Sequence, residues 1–217
     1  MIPKTFDENK HDLLVPGNFK DIVEPLKAAA GQSLGRTLDI GSNTTWFARF
    51  VDDYYGIDTD SKIVERTRAY WVKQKRWSEA EALSRVVVST SDRLPYADGF
   101  FDTVFMRDVL EHVDNAPGFY AEAVRVLKTG GLLYVSCPDS QRHVWKEPTH
   151  KRPFPIAAQI YLSSVNGMTP VYRGYESVLA GTQRVAGVLG ARTPWLIRIF
   201  WSLWFWPRNA VTICRKG

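Results

Sequence analysis

Cysteine is scarce: Cys137 and Cys214 are the two in 217 residues. Both lie in apolar, strand-like stretches, which reads as buried thiols in a reducing compartment. Their number and spacing exclude a zinc cluster. Long apolar runs are missing as well. None reaches the roughly 18 residues of a membrane-spanning helix. The opening Met1-Ile2-Pro3-Lys4 runs into charged residues, without the apolar stretch of a secretory leader. The expected place is the cytoplasm, with a peripheral position at a membrane surface as the second reading. There is no internal repeat and no low-complexity tract. A nucleic-acid-binding motif is absent too. The net charge of +5 is mild, and the basic residues of 62–76 are mixed with Glu65, Glu79 and Glu81. That pattern is a solvated helix face, and no nucleic-acid partner is expected.

What is present is a globular composition: 45% apolar residues, enough for a core that needs no staples. The length predicts a single domain over 1–217. Helix is expected over 18–30, capped by Asn18 and ended by Gly31, over 44–50, and over 61–83 without a break. Further helices are expected over 108–113 and from Asn115 to a stop at Gly130 and Gly131. Strands are expected over 37–40, 53–57, 85–89, 101–106, 132–136 and 210–214. The last third has helical character over 154–164, 174–189 and 195–206. Strands alternating with helices argue for an α/β fold, with a parallel sheet covered on both faces.

In such a sheet, ligands sit beyond the carboxyl ends of the strands. The residues placed there are 39–45, Asp58, 89–92, Arg107 and Asp108. The loop at 41–45 meets a helix N-terminus, where free N–H groups suit a carboxylate or a phosphate. Asp58 follows Asp39 by 19 positions. A carboxylate at the end of the second strand can accept both hydroxyls of a ribose. Glycine is short at this loop. A dinucleotide fingerprint needs three, and only Gly41 is there; Asn43 and Thr45 stand where others are expected. A pyrophosphate is disfavoured, and a nucleoside cofactor without phosphate is tolerated better.

Five blocks now fall in order. They are Leu38-Asp39-Ile40-Gly41, Tyr55-Gly56-Ile57-Asp58, a turn from Leu94-Pro95 to Asp102, Val109-Leu110-Glu111-His112-Val113, and a stretch from Glu122 to Gly131. Together the blocks resemble the class I S-adenosylmethionine-dependent methyltransferases, in the small-molecule, type 11-like branch that includes quinone and sterol methyltransferases. The resemblance covers about 35–138 and the final strand. It implies a Rossmann-like three-layer sandwich with a mostly parallel seven-stranded sheet, the last strand antiparallel. It implies S-adenosyl-L-methionine as cofactor and methyl transfer to a small or amphipathic acceptor at O, N or C.

Carried over by residue, the resemblance gives Asp39, Gly41 and Asn43 the loop around the methionine end. Asp58 takes the ribose, and Ile57 or Thr59 flanks the adenine. The adenine amino contact falls to Thr90 and Ser91, or to Asp92 if the loop shifts. Arg107 lies near the methyl group, where it pairs with Asp108 or Glu111 or holds an acidic substrate. On the acceptor side stand His143, Trp145 and Arg152, with His112 and His150 as candidate bases where the acceptor must lose a proton. No metal site is expected, because the histidines lack helical or zinc-knuckle spacing.

The segments 1–30 and 139–208 are read as a helical cap and a helical acceptor-side insertion. Trp195, Trp201, Trp204 and Trp206 make one helix apolar almost all round. It suits the core or a dimer contact, a lid, or a membrane surface. The competing readings are a methyltransferase-like binding protein that has lost catalysis, and a membrane-associated lipid or quinone methyltransferase.

Overall fold

The computed structural model describes residues 19–31, 33–42, 46–74, 76–89, 93–139, 144–145, 147–177 and 208–217. Asn18, Asn43, Thr45, Thr90, Ser91, Asp92, His143 and the helix expected over 195–206 lie outside them.

Seven strands form one sheet. In chain order the elements are α1 (Phe19–Ala30), β1 (Arg36–Ile40), β2 (Asp53–Asp58), α2 (Ser61–Lys73), α3 (Glu79–Arg85), β3 (Val86–Val88), β4 (Phe101–Arg107), α4 (Ala116–Arg125), β5 (Leu127–Pro138), α5 (Ile156–Val165), β6 (Met168–Ser177) and β7 (Arg208–Lys216). The strand order is β3-β2-β1-β4-β5-β7-β6. β1 to β5 pair in parallel, and β7 runs antiparallel between β5 and β6. The chain thus forms the α/β sandwich expected of it, with its last strand reversed.

Successive side chains of a strand point to opposite faces, and both faces of this sheet are covered. On β5, Leu133, Val135 and Cys137 join the apolar cluster under α4 and α5. Leu132 and Tyr134, between them, join the cluster under α1, α2 and α3. In that second cluster Phe105 is sandwiched between Phe47 and Tyr134, with ring centroids 3.9 and 4.5 Å away. Burying each such ring contributes about 1.5–3 kcal/mol. Both cysteines are buried free thiols. Among the described residues, no helix is long and apolar enough to cross a membrane.

Several elements differ from expectation. The helix expected over 61–83 is two, because Ser78 and Glu81 form a capping box that starts a second one. Buried Trp77 anchors the break. Gly130 and Gly131 do not stop α4: it ends at Arg125, and both glycines lie within β5. Arg125 is tied to Glu122, to Asp98 and to the carbonyls of Leu94 and Tyr96, so the chain turns there into the sheet. Residues 174–177, expected to be helical, finish β6 against β7. Single turns of 3₁₀ helix replace the α-helices expected near 44–50 and 108–113, at Trp46–Phe50 and Leu110–His112.

Candidate active site

β1 pairs with β2 on one side and β4 on the other, so the strand order reverses there. That is the switch point of an open α/β sheet, where a crevice forms beyond the strand ends. A cavity of about 480 Å³ occupies it, within the size range of small-molecule sites. From the β2 and β3 side come Asp58, Thr59 and Ser89. Asp108, Val109, His112 and Lys151 come from the β4 and β5 side.

Gly41 forms the turn between the two halves. Its φ is +71°, in the left-handed region that favours glycine, and a Cβ there would stand 2.7 Å from Val109 Cγ2. The Gly41 and Ser42 N–H groups both donate to the Ile57 carbonyl at 2.9 Å, which holds the turn over β2. Asp58, the last residue of β2, lines the cavity. Its Oδ1 accepts from the Asp60 backbone at 3.1 Å, while Asp60 caps α2. The helix-capping role thus falls to Asp60 rather than to Asp58.

Asp39 sits behind the turn and not among the cavity's lining residues. It is buried and accepts from the Tyr54 hydroxyl at 2.8 Å. Burial pushes its carboxyl up to about 7, against the pull of the Tyr54 hydrogen bond, and the charge of Asp58 pushes the same way as burial. In the unfolded chain the group ionises near ~3.9. Between those values the folded protein binds more protons, so this group's contribution to stability falls as pH rises and is lost above pH 7. From pH 5 to pH 8 the loss is about 2–3 kcal/mol. Asp39→Asn removes it. Urea melts of both proteins at the two pH values should show the smaller drop in the variant, and equal drops would contradict this account of Asp39.

Asp108, the residue after β4, has a φ of +55°, unusual for a side-chain-bearing residue. It is held there from three directions. Arg107 pairs with it at 2.8 Å, Asn209 of β7 donates to it, and its own N–H donates to the Ser136 carbonyl at 2.8 Å. Arg107 thereby takes the Asp108 partnership, and it is not among the lining residues.

The acceptor-side residues meet through a backbone clamp. Lys151 N–H donates to the Glu111 carbonyl at 2.7 Å, and Arg152 donates to the Asp114 carbonyl at 2.9 Å. Lys151 also forms an ion pair with Asp114. The clamp lays 149–152 across 111–114 and brings the His112 and His150 rings to 4.8 Å between centroids. Each ring's Nδ1 faces a carbonyl, Thr149 at 3.2 Å for His112 and Val144 at 2.8 Å for His150. A carbonyl only accepts, so each Nδ1 carries the proton and each Nε2 of the neutral ring presents its lone pair. Burial holds His112 below its usual range, and His150 adds to that. Glu111, next to His112 in the chain, is fully buried; burial first and Asp108 second push its carboxyl up to about 8.

Of the residues singled out from sequence, Gly41, Ile57, Asp58, Thr59, Ser89, Asp108 and His112 line the cavity. His150 stands beside His112, and Trp145 is exposed. Arg152 is spent on the clamp and stacks over Phe154. The pattern passed over Val109, Lys151, Glu111 and Asn209. Val109 and Glu111 were readable as members of the fourth block. No local signal marks Lys151 or Asn209, whose partners are distant in the chain.

The site's residues fit an adenosyl cofactor without phosphates. A carboxylate waits at the β2 end, and the turn at Gly41 admits close approach. Ile40, Ile57, Ile63 and Phe119 give apolar walls. A family model described as a methyltransferase domain matches residues 38–135. An uncharacterized protein of Methanocaldococcus jannaschii is 28% identical over 149 residues, covering 69% of this chain and 63% of the relative. A demethylmenaquinone methyltransferase of Tropheryma whipplei is 32% identical over 120 residues, covering 50% and 46%. The chain thus spans about half to two thirds of the length of these curated relatives. A solved SAM-dependent methyltransferase from Archaeoglobus fulgidus superposes with a TM-score of 0.62 at 16% identity, over 91% of this chain and 93% of that one. This match falls on the strands and turns that build the cavity, and over 38–135 the chain is similar to methyltransferase domains.

Proposed function

We propose that this protein transfers a methyl group from S-adenosylmethionine to a small or amphipathic acceptor. The observation that carries the reading is the cavity at the switch point, with Asp58 at one side and His112 at the other. Asp58 would hold the ribose hydroxyls, and the Gly41 turn would bound the methionine end. When bound, the cofactor supplies a methyl carbon made electrophilic by its sulfonium sulfur. The protein's share is alignment of the acceptor and exclusion of water, and alignment of this kind contributes up to about 7–11 kcal/mol. Ile40, Val109 and Phe119 form the dry wall. An oxygen or nitrogen acceptor must also shed a proton, and the His112 and His150 side of the cavity is assigned that task. The related demethylmenaquinone enzyme supports an amphipathic acceptor as the first class to screen.

The test is transfer of labelled methyl to a panel of hydroxylated and aminated aromatics, quinols among them. With an accepted substrate, His112→Ala and His150→Ala should each lower kcat at least tenfold. His150→Ala should leave cofactor affinity within twofold, since His150 does not line the cavity. Full turnover in both variants would remove the histidines from the reaction. Binding of cofactor without transfer to any acceptor would favour a binding protein.

A further inference from the structure

We propose that Glu111, His112 and His150 form a binding site for a divalent transition-metal cation at the acceptor side of the cavity. Cation binding is independent of the methyl-transfer reading; only the role given to the cation rests on it.

Three observations point to the ion. The donor atoms of the three side chains lie within 4.8 Å of one another. Metal–ligand bonds of about 2.0–2.2 Å set the donors of a tetrahedral site about 3.4 Å apart, so side-chain rotations that draw the three together by roughly an ångström close the set. Second, both imidazoles are oriented as ligands are. Each donates Nδ1–H to a backbone carbonyl, Thr149 or Val144, which fixes Nε2 as the lone pair. That outer hydrogen bond is the usual support of a metal-binding histidine. Third, Glu111 is 0% exposed, and its carboxylate meets only its own backbone N–H and the weakly donating Cys137 thiol, neither in full hydrogen-bond geometry. Buried carboxylates are ordinarily satisfied, and a cation bridging it to the two histidines satisfies this one. The nearby Asp108 carboxylate adds negative charge on the same side.

Two imidazole nitrogens and one carboxylate suit zinc, cobalt, iron or manganese in the divalent state, with positions left open. His112 lines the cavity, so the open side faces the acceptor. A hydroxyl approaching that side is acidified and releases its proton to bulk water. Its oxygen then bonds to the methyl carbon as the carbon–sulfur bond breaks, and that electron pair stays on sulfur. The imidazoles thus act through the ion and not as bases themselves. Sequence spacing conceals the site, because His112 and His150 are 38 residues apart and only the clamp joins them.

The experiment is titration of the metal-stripped full chain with cobalt(II) chloride, followed by visible absorption, with zinc(II) as competitor. One cobalt per chain should bind and be displaced by zinc. Glu111→Gln, His112→Asn and His150→Asn should each weaken cobalt binding at least tenfold. Melting curves control for folding. If Glu111→Gln does not fold, His150→Asn, outside the cavity wall, still decides. No cobalt absorption at millimolar ion, or undiminished binding in the variants that fold, overturns the proposal. A parallel titration with S-adenosylhomocysteine separates the two readings. Cofactor binding without cobalt binding rejects the cation site alone, and cobalt binding without cofactor binding rejects the methyl-transfer reading alone.

Discussion

Asp58→Ala should weaken binding of S-adenosylhomocysteine about 100-fold. A carboxylate accepting two ribose hydroxyls makes charge-assisted hydrogen bonds worth about 1.5–3 kcal/mol each. Because water competes for both partners, the lower end is the safer figure. A total near 3 kcal/mol is about two powers of ten in affinity. The fold should tolerate the change. Asp58 is only half-buried, and the helix after it is capped by Asp60, not by Asp58. Melting should therefore shift by no more than a few degrees, and Asp58→Asn should recover part of the affinity. Calorimetric titration checks this, and a loss of less than threefold in Asp58→Ala would remove the ribose contact.

Gly41→Ala is expected to damage both fold and cofactor binding. A side chain at a left-handed φ costs about 1–2 kcal/mol. The new Cβ would also stand 2.7 Å from Val109 Cγ2, and overpacking of this kind costs about 1–3 kcal/mol. The sum, about 2–5 kcal/mol, lowers the melting temperature by roughly 5–15 °C for a chain of this size. The turn that carries the strain is the one facing the cavity, so affinity should fall as well. The two causes can be separated. Val109→Ala removes the clashing methyl and leaves φ untouched. In the double variant the overpacking part should return and the backbone part should remain. An additive double variant, with no recovery, would mean that Val109 is not what the Cβ meets.

The strands were legible because runs such as Val86-Val87-Val88 and Leu132 to Val135 are apolar without interruption, as a sheet covered on both faces requires. Gly41 and Asp58 were legible as site residues because both follow strands. The blocks that carried the family resemblance divide by role. The turn after Leu94 and the stretch after Glu122 are one structural unit, joined through Arg125. The first, second and fourth blocks reach the cavity. The break between α2 and α3 was readable in Ser78 and Glu81 and was passed over for the helical periodicity on either side. Other features had no local signal. The backbone at Asp108 is set by Asn209 and Ser136, 101 and 28 residues away in the chain. The pairing of His112 with His150 depends on a clamp between 149–152 and 111–114, segments far apart in the chain, so no local pattern announces it. Glu111 reads as an ordinary charged residue of a short helix, and only the packed structure shows it fully buried.

An adenosyl cofactor in the cavity at the β1–β4 switch point should be seen by calorimetric titration of the wild-type chain with S-adenosylhomocysteine. One site per chain is expected, with competition by S-adenosylmethionine and no displacement by NAD. Absence of binding at millimolar ligand, or tighter binding of NAD, would contradict it.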